Sequence, residues 1–145
     1  MRNESVSRPN AWMVDVDGTL ALNVHRDPYD WRAAADDAPN LAVVTASQAL
    51  AAHPSVAAII VISGREERAR DITAKWLKSK GVHHDLLLMR PNGDSRPDEV
   101  VKEELFRRHV ESSYSVVGVL DDRDRVVRMW RRIGLVCFQV ADGSF

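Results

Sequence analysis

The chain has 145 residues, of which 45% are apolar and 28% charged, and its formal net charge is −1. These values suit one compact domain with its own core and exclude a disordered chain, a fibrous repeat and a surface sheathed in basic charge, so any nucleic acid would meet a local patch. No apolar stretch reaches the length of a membrane span, residues 1–10 are too polar for a secretory leader, and the single cysteine, Cys137, reads as a buried thiol; a cytoplasmic protein is expected.

Residues 1–10 are expected to form a flexible lead-in to a single domain. Short, nearly continuous apolar runs at 11–16, 56–62, 85–89, 115–120 and 135–140 predict five strands buried on both faces of a parallel sheet. Between them, helices are predicted at 41–52, 66–80, 98–110 and 123–133, the last closed by Gly134. The tryptophans and methionines on these helical faces read as core. Alternation of strand and helix implies an α/β, Rossmann-like fold. In such sheets ligands bind beyond the carboxyl ends of the strands, which is where the chemistry is sought.

The first strand runs into Asp15-Val16-Asp17-Gly18-Thr19-Leu20. Asp-Gly alone would be ordinary turn chemistry. Two alternating carboxylates after an apolar run instead suit a hard cation such as Mg2+, because unpaired buried charge is costly. The second predicted strand ends at Ile62-Ser63-Gly64-Arg65-Glu66, where Ser63 and Glu66 could form a capping box and the free N–H groups of a helix start could hold a phosphoryl oxygen. Lys102 lies four residues after Asp98 on a predicted helix, a spacing that also describes a plain surface ion pair. Asp121-Asp122-Arg123 follows the fourth strand, and adjacent carboxylates there call for a positive partner such as a metal ion.

In this order the motifs resemble those of the haloacid dehalogenase superfamily. That resemblance implies a nucleophile at Asp15, a general acid and base at Asp17, a phosphate-holding Ser63, a charge-neutralising Lys102, and Mg2+ held by Asp15, Asp17 (through its main-chain carbonyl), Asp121 and Asp122. Further residues narrow it: Arg26, Tyr29-Asp30, Ser63-Gly64-Arg65-Glu66, Gly93-Asp94-Ser95-Arg96-Pro97-Asp98, Val100-Val101-Lys102, Asp121-Asp122-Arg123, Val126–Gly134 and Gln139-Val140-Ala141. From Trp12 onward the chain is similar to the 3′-phosphatase domains of bacteriophage polynucleotide kinase-phosphatases.

The narrower resemblance implies a fold without a large cap domain and removal of 3′-phosphate from DNA or RNA ends. Thr19, Arg26, Ser63, Gly64, Arg65 and Asp98 would serve the phosphate or its surroundings, with Asp98 orienting Lys102 or Arg65. Nucleic-acid ends are the expected partner, with no membrane, and the host cytoplasm is the expected setting for a phage-encoded copy. No G-x-x-x-x-G-K-[ST] segment occurs, so no kinase activity is expected of this chain. The alternative is a phosphatase for nucleoside 3′-monophosphates or similar small phosphomonoesters. The arginines at 107–108 and from 123 to 132 read equally as a solvated helix face or as a backbone-binding patch. None of the five histidines shows metal-ligand spacing; they read as solvated or packed side chains, and His25, beside Arg26, is expected within reach of the substrate.

Overall fold

The computed structural model describes residues 7–23, 26–27 and 29–145; His25 and Pro28 lie outside the described residues. Strands β1 (Asn10–Val14), β4 (Ala58–Glu66), β5 (Leu86–Arg90), β6 (Ser115–Asp121) and β7 (Cys137–Gln139) form one sheet in the order β5-β4-β1-β6-β7. Every pairing in it is parallel. A small antiparallel pair, β2 (Ala21–Leu22) with β3 (Ala38–Pro39), follows β1, and a 3-10 helix at Trp31–Asp36 lies between its strands. Among the described residues the α-helices are α1 (Leu41–Ala52), α2 (Arg70–Ser79), α3 (Asp98–His109) and α4 (Asp124–Arg132).

The five apolar runs are therefore strands because both faces of the sheet are covered. Met13, Ile60 and Val119 point to a core shared with Val101, Leu105 and Phe106 of α3 and Val126, Met129 and Trp130 of α4. Val14, Val61 and Leu87 point to the other face, against Val43 and Val44 of α1 and Trp76 and Leu77 of α2. Alternate residues of one strand thus feed two cores, which keeps the middle of β1, β4 and β6 apolar and leaves polar residues to the strand ends.

The α/β fold agrees with the sequence reading, but one boundary does not. A helix was expected over 66–80, opened by Ser63 and Glu66. Instead β4 continues to Glu66, a 3-10 turn covers Glu67–Ala69, and α2 starts only at Arg70. The reason is tertiary: β4 lies between β1 and β5, and its pairing with β5 resumes at Glu66↔Arg90 after a register shift beyond Ser63. The Ser63 hydroxyl consequently caps no helix and accepts the Arg65 N–H at 3.1 Å. Arg123 is the residue that precedes α4, which begins at Asp124.

Strand order reverses at β1. The chain proceeds from β1 to β4 and β5 on one side, then to β6 and β7 on the other. A crevice opens beyond the carboxyl end of a strand at such a switch point. Asp15 is the first residue past β1, and its N–H donates to the Leu120 carbonyl at 3.0 Å.

Candidate active site

A cleft of about 740 Å³ lies at this end of the sheet, lined by Asp15, Asp17, Arg65, Lys102, Asp121 and Asp122 among others. Most of the residues singled out from the sequence meet here, in two clusters on either side of Val16.

The first cluster surrounds Lys102. Its ammonium donates to Asp15 Oδ1 at 2.7 Å and to Asp121 Oδ2 at 3.0 Å. Asp15, Lys102, Asp121 and Asp122 are all buried. The Thr19 hydroxyl donates to Asp15 Oδ2 at 2.8 Å and sits 3.4 Å from Asp122 Oδ1, so Thr19, expected at the phosphate, here holds the carboxylate. Asp121 also accepts the Asp122 N–H at 2.9 Å, and the Trp130 indole N–H reaches it at 3.4 Å. Gly18 is required beside it: a Cβ there would stand 2.1 Å from Asp122 Oδ2, and its φ is +80°.

Charge in this cluster is not balanced. Asp15, Asp121 and Asp122 bring carboxylate oxygens within 4.8 Å of one another, with one ammonium between them. Burial pushes the Asp15 carboxyl well above the ordinary carboxylate range; repulsion from Asp121 and Asp122 adds to this and Lys102 opposes it. Burial and Asp121 raise Asp122 as well. Burial by itself would lower Lys102, but Asp121, Asp15 and Asp98 outweigh it and raise the ammonium. Three buried oxygen donors with excess negative charge fit a hard divalent cation. Asp17 contributes no carboxylate to this group; the metal role expected of it rests on its main-chain carbonyl.

The second cluster surrounds Arg65. Its Nε and Nη2 donate to the two oxygens of Asp17 at 2.9 and 2.7 Å, its Nη2 also to Asp37 Oδ2 at 3.0 Å, and its Nη1 to the Thr73 hydroxyl at 3.0 Å. Arg26 grips Asp37 with two bonds of 2.8 and 2.9 Å and stands 3.6 Å from Asp17. Asn23 donates to Asp17 at 3.1 Å. Both guanidiniums lie over the Trp31 ring, 5.7 and 5.8 Å from its centre. Burial would lower Arg65, but its bonds to Asp17 and its attraction to Asp37 prevail and raise it. Arg26 and Arg65, expected to face the phosphate, are thus tied to Asp17 and Asp37.

Asp98 departs from expectation. It binds neither Lys102 nor Arg65 directly; it accepts from Arg90 at 2.5 Å and from Arg123 at 3.2 Å. Burial opposes ionisation of Asp98, and Lys102, Arg123 and Arg90 together hold its carboxyl below the usual range. Arg90 also donates to the carbonyls of Gly64 and Asp94, at 2.8 and 3.0 Å, and so fastens the 91–97 loop to the end of β4.

Asp37, Thr73, Trp31, Asn23 and Arg90 were not singled out from the sequence. Arg90 ends β5, and the rule that ligands gather beyond strand ends could have found it. Asp37 lies in an irregular segment twenty positions after Asp17, with no local pattern to mark it.

The family model for the phosphatase domain of polynucleotide kinase (PNKP) matches residues 9–145. The chain belongs to this family. A protein of Autographa californica nuclear polyhedrosis virus, named as a bifunctional polynucleotide kinase/RNA ligase, is 38% identical over 127 residues, which are 85% of this chain and 18% of that protein. Two structures of the Pnkp1/Rnl/Hen1 complex, one titled as an RNA repair complex, contain chains 40% identical to this one, each with a TM-score of 0.91. They cover 95% and 97% of this chain, which spans 44% and 48% of theirs. This phosphatase domain accordingly spans less than half the length of the relatives it matches. It has the parallel α/β fold of a haloacid dehalogenase-type phosphatase, with no inserted domain large enough to cap the cleft among the described residues. No helix among the described residues is long and apolar enough to cross a membrane.

Proposed function

We propose that this phosphatase domain removes 3′-phosphate groups from DNA or RNA ends, with Asp15 as covalent nucleophile and Mg2+ as cofactor. The observation that carries the reading is the position of Asp15: buried, held by Lys102 and Thr19, and open to a cleft that Asp17 also lines. The names of the viral relative and of the RNA repair complex support a nucleic-acid substrate.

In the first step an Asp15 oxygen attacks phosphorus and the bond from phosphorus to the sugar 3′-oxygen breaks. Asp17, aimed by Arg65, gives its proton to the departing oxygen. An aspartyl-phosphate then stands on Asp15, a division of one difficult displacement into two easier ones. In the second step Asp17 takes a proton from water, the water oxygen attacks phosphorus, and Asp15 leaves as a carboxylate. Lys102 offsets negative charge at the nucleophile in both steps. Asp15, Asp121 and Asp122 would hold Mg2+, with the Asp17 carbonyl completing the set; it would neutralise phosphoryl charge and orient the group.

The test is phosphate release from a 3′-phosphorylated oligodeoxynucleotide, with Mg2+ and with excess chelator. Release that requires Mg2+ and disappears in Asp15→Asn supports the reading. Hydrolysis of an aryl phosphate alone would keep a phosphatase and discard the polynucleotide substrate.

A further inference from the structure

The cleft carries two aromatic rings that the chemistry above does not use. Tyr29 is 82% exposed and Phe145 57% exposed, and both line the same cleft as Asp15. Large rings exposed in a site rimmed by charge mark a place where a ligand face can be covered, whereas Trp76, Phe106 and Trp130 are buried in the core. They come from two separate segments, one after β2 and one after β7.

The backbone of Tyr29 and the ring of Phe145 each have defined neighbours. The Asp27 carboxylate accepts the Tyr29 N–H at 2.9 Å, and Asp30 accepts the Ala33 N–H at 3.4 Å to start the 3-10 helix. Arg26 spans the same turn, donating to the carbonyls of Asp27 and Asp30 at 3.1 and 3.2 Å. The backbone at Tyr29 is thus fixed while its ring stands in solvent. At the other segment, Gly143 lies against the start of α4: its carbonyl accepts the Asp124 N–H at 2.8 Å, and a Cβ there would meet the Asp122 carbonyl oxygen at 2.0 Å. This close approach, open only to glycine, brings Phe145 beside Arg123, whose guanidinium lies 4.6 Å from the ring centre. Arg123 in turn is anchored on Asp98.

Exposed rings flanked by arginines form the platform on which single-stranded nucleic acid binds, since every base has a face to stack and every linkage a phosphate to attract. Arg96, paired with Asp94 and Glu104, and Arg125 line the same cleft and are exposed. We infer that Tyr29 and Phe145 stack on the unpaired nucleosides at the 3′ end, so the preferred substrate is a single-stranded end of at least two nucleotides, read without base identity. This rests on the 3′-phosphatase reading and adds the residues that distinguish a polymer end from a small phosphate.

The experiment measures kcat/KM on a trinucleotide 3′-phosphate and on p-nitrophenyl phosphate, for wild type, Tyr29→Ala, Tyr29→Phe and Phe145→Ala. The ratio of the two values is the readout, which cancels a general loss of folded enzyme. In each alanine variant the ratio falls about tenfold, carried by KM, and Tyr29→Phe keeps the wild-type ratio. Replacing the upstream nucleosides by abasic residues removes the difference between wild type and the alanine variants. A wild-type ratio in both alanine variants, or a difference that survives the abasic substrate, overturns the inference while leaving the 3′-phosphatase reading intact. Wild-type enzyme that releases no phosphate from any 3′-phosphorylated oligonucleotide overturns both.

Discussion

The two clusters in the cleft are built on opposite electrostatic terms. Around Lys102 three buried carboxylates share one ammonium; around Arg65 two carboxylates, Asp17 and Asp37, meet two guanidiniums, Arg26 and Arg65. The first is short of positive charge, and burial makes that shortage costly. The second satisfies itself and holds its groups in fixed geometry through forked arginine bonds. On the proposed mechanism, the first would hold the cation and the phosphoryl group and the second would aim the proton donor.

The largest effect should come from removing the proposed nucleophile. Asp15→Asn is expected to lower phosphate release at least ~10⁴-fold, in line with the loss of other covalent nucleophiles. Its thermal midpoint should be no lower than that of the wild type, since it removes a carboxylate whose ionisation burial opposes. A thermal melt beside the phosphate assay checks both. Lys102→Met comes next. It leaves Asp15, Asp121 and Asp122 without their ammonium and should cost about 3–5 kcal/mol in urea unfolding, the usual consequence of breaking a buried pair from one side.

Metal addition follows. A carboxyl whose folded pKa lies above its unfolded value adds stability while protonated, and that stability is lost as pH rises through the folded value. Asp15 and Asp122 are both of this kind. Mg2+ should therefore raise the thermal midpoint most at neutral pH, by about 5 °C at saturation, and progressively less as acid protonates these two groups. A gain independent of pH would mean the ion binds elsewhere.

In the balanced cluster, Asp37→Asn should cost about 1–3 kcal/mol, because two guanidiniums then share Asp17 as their one ionised partner in the cluster. Its catalytic effect should be smaller than that of Asp15→Asn and fall on kcat, through misplacement of Asp17. The smallest effect belongs to the arginines of α4. Arg132 is paired with Glu103 and Arg131 donates to the Cys137 carbonyl, whereas Arg125 lines the cleft. Arg125→Ala should raise KM for an oligonucleotide about threefold in low salt and leave it unchanged in high salt, as expected of a screened phosphate contact.

The strands and the chemical groups were legible in sequence for different reasons. Five apolar runs became strands because parallel sheets covered on both faces tolerate little else. Cys137 is buried as expected, and its thiol is pushed up to about 12. The Trp76, Met129 and Trp130 side chains joined the core as their helical spacing implied. The error at 63–69 has the opposite cause: Ser63 and Glu66 carry a helix-start pattern, but strand pairing with β5 carried the backbone four residues further.

By itself, the sequence determined the alternation of strand and helix, the carboxylates that stand at strand ends, the serine of β4 and the lysine of α3, because those signals are local. Only the tertiary structure decided their partners. It gave Lys102 to Asp15 and Asp121 rather than to Asp98, gave Arg65 to Asp17, and brought in Asp37 as the link between Arg26 and Arg65. The physical reason is that ion pairing in a buried site is set by distance after folding, and the parallel order β4-β1-β6 brings together residues far apart in the chain.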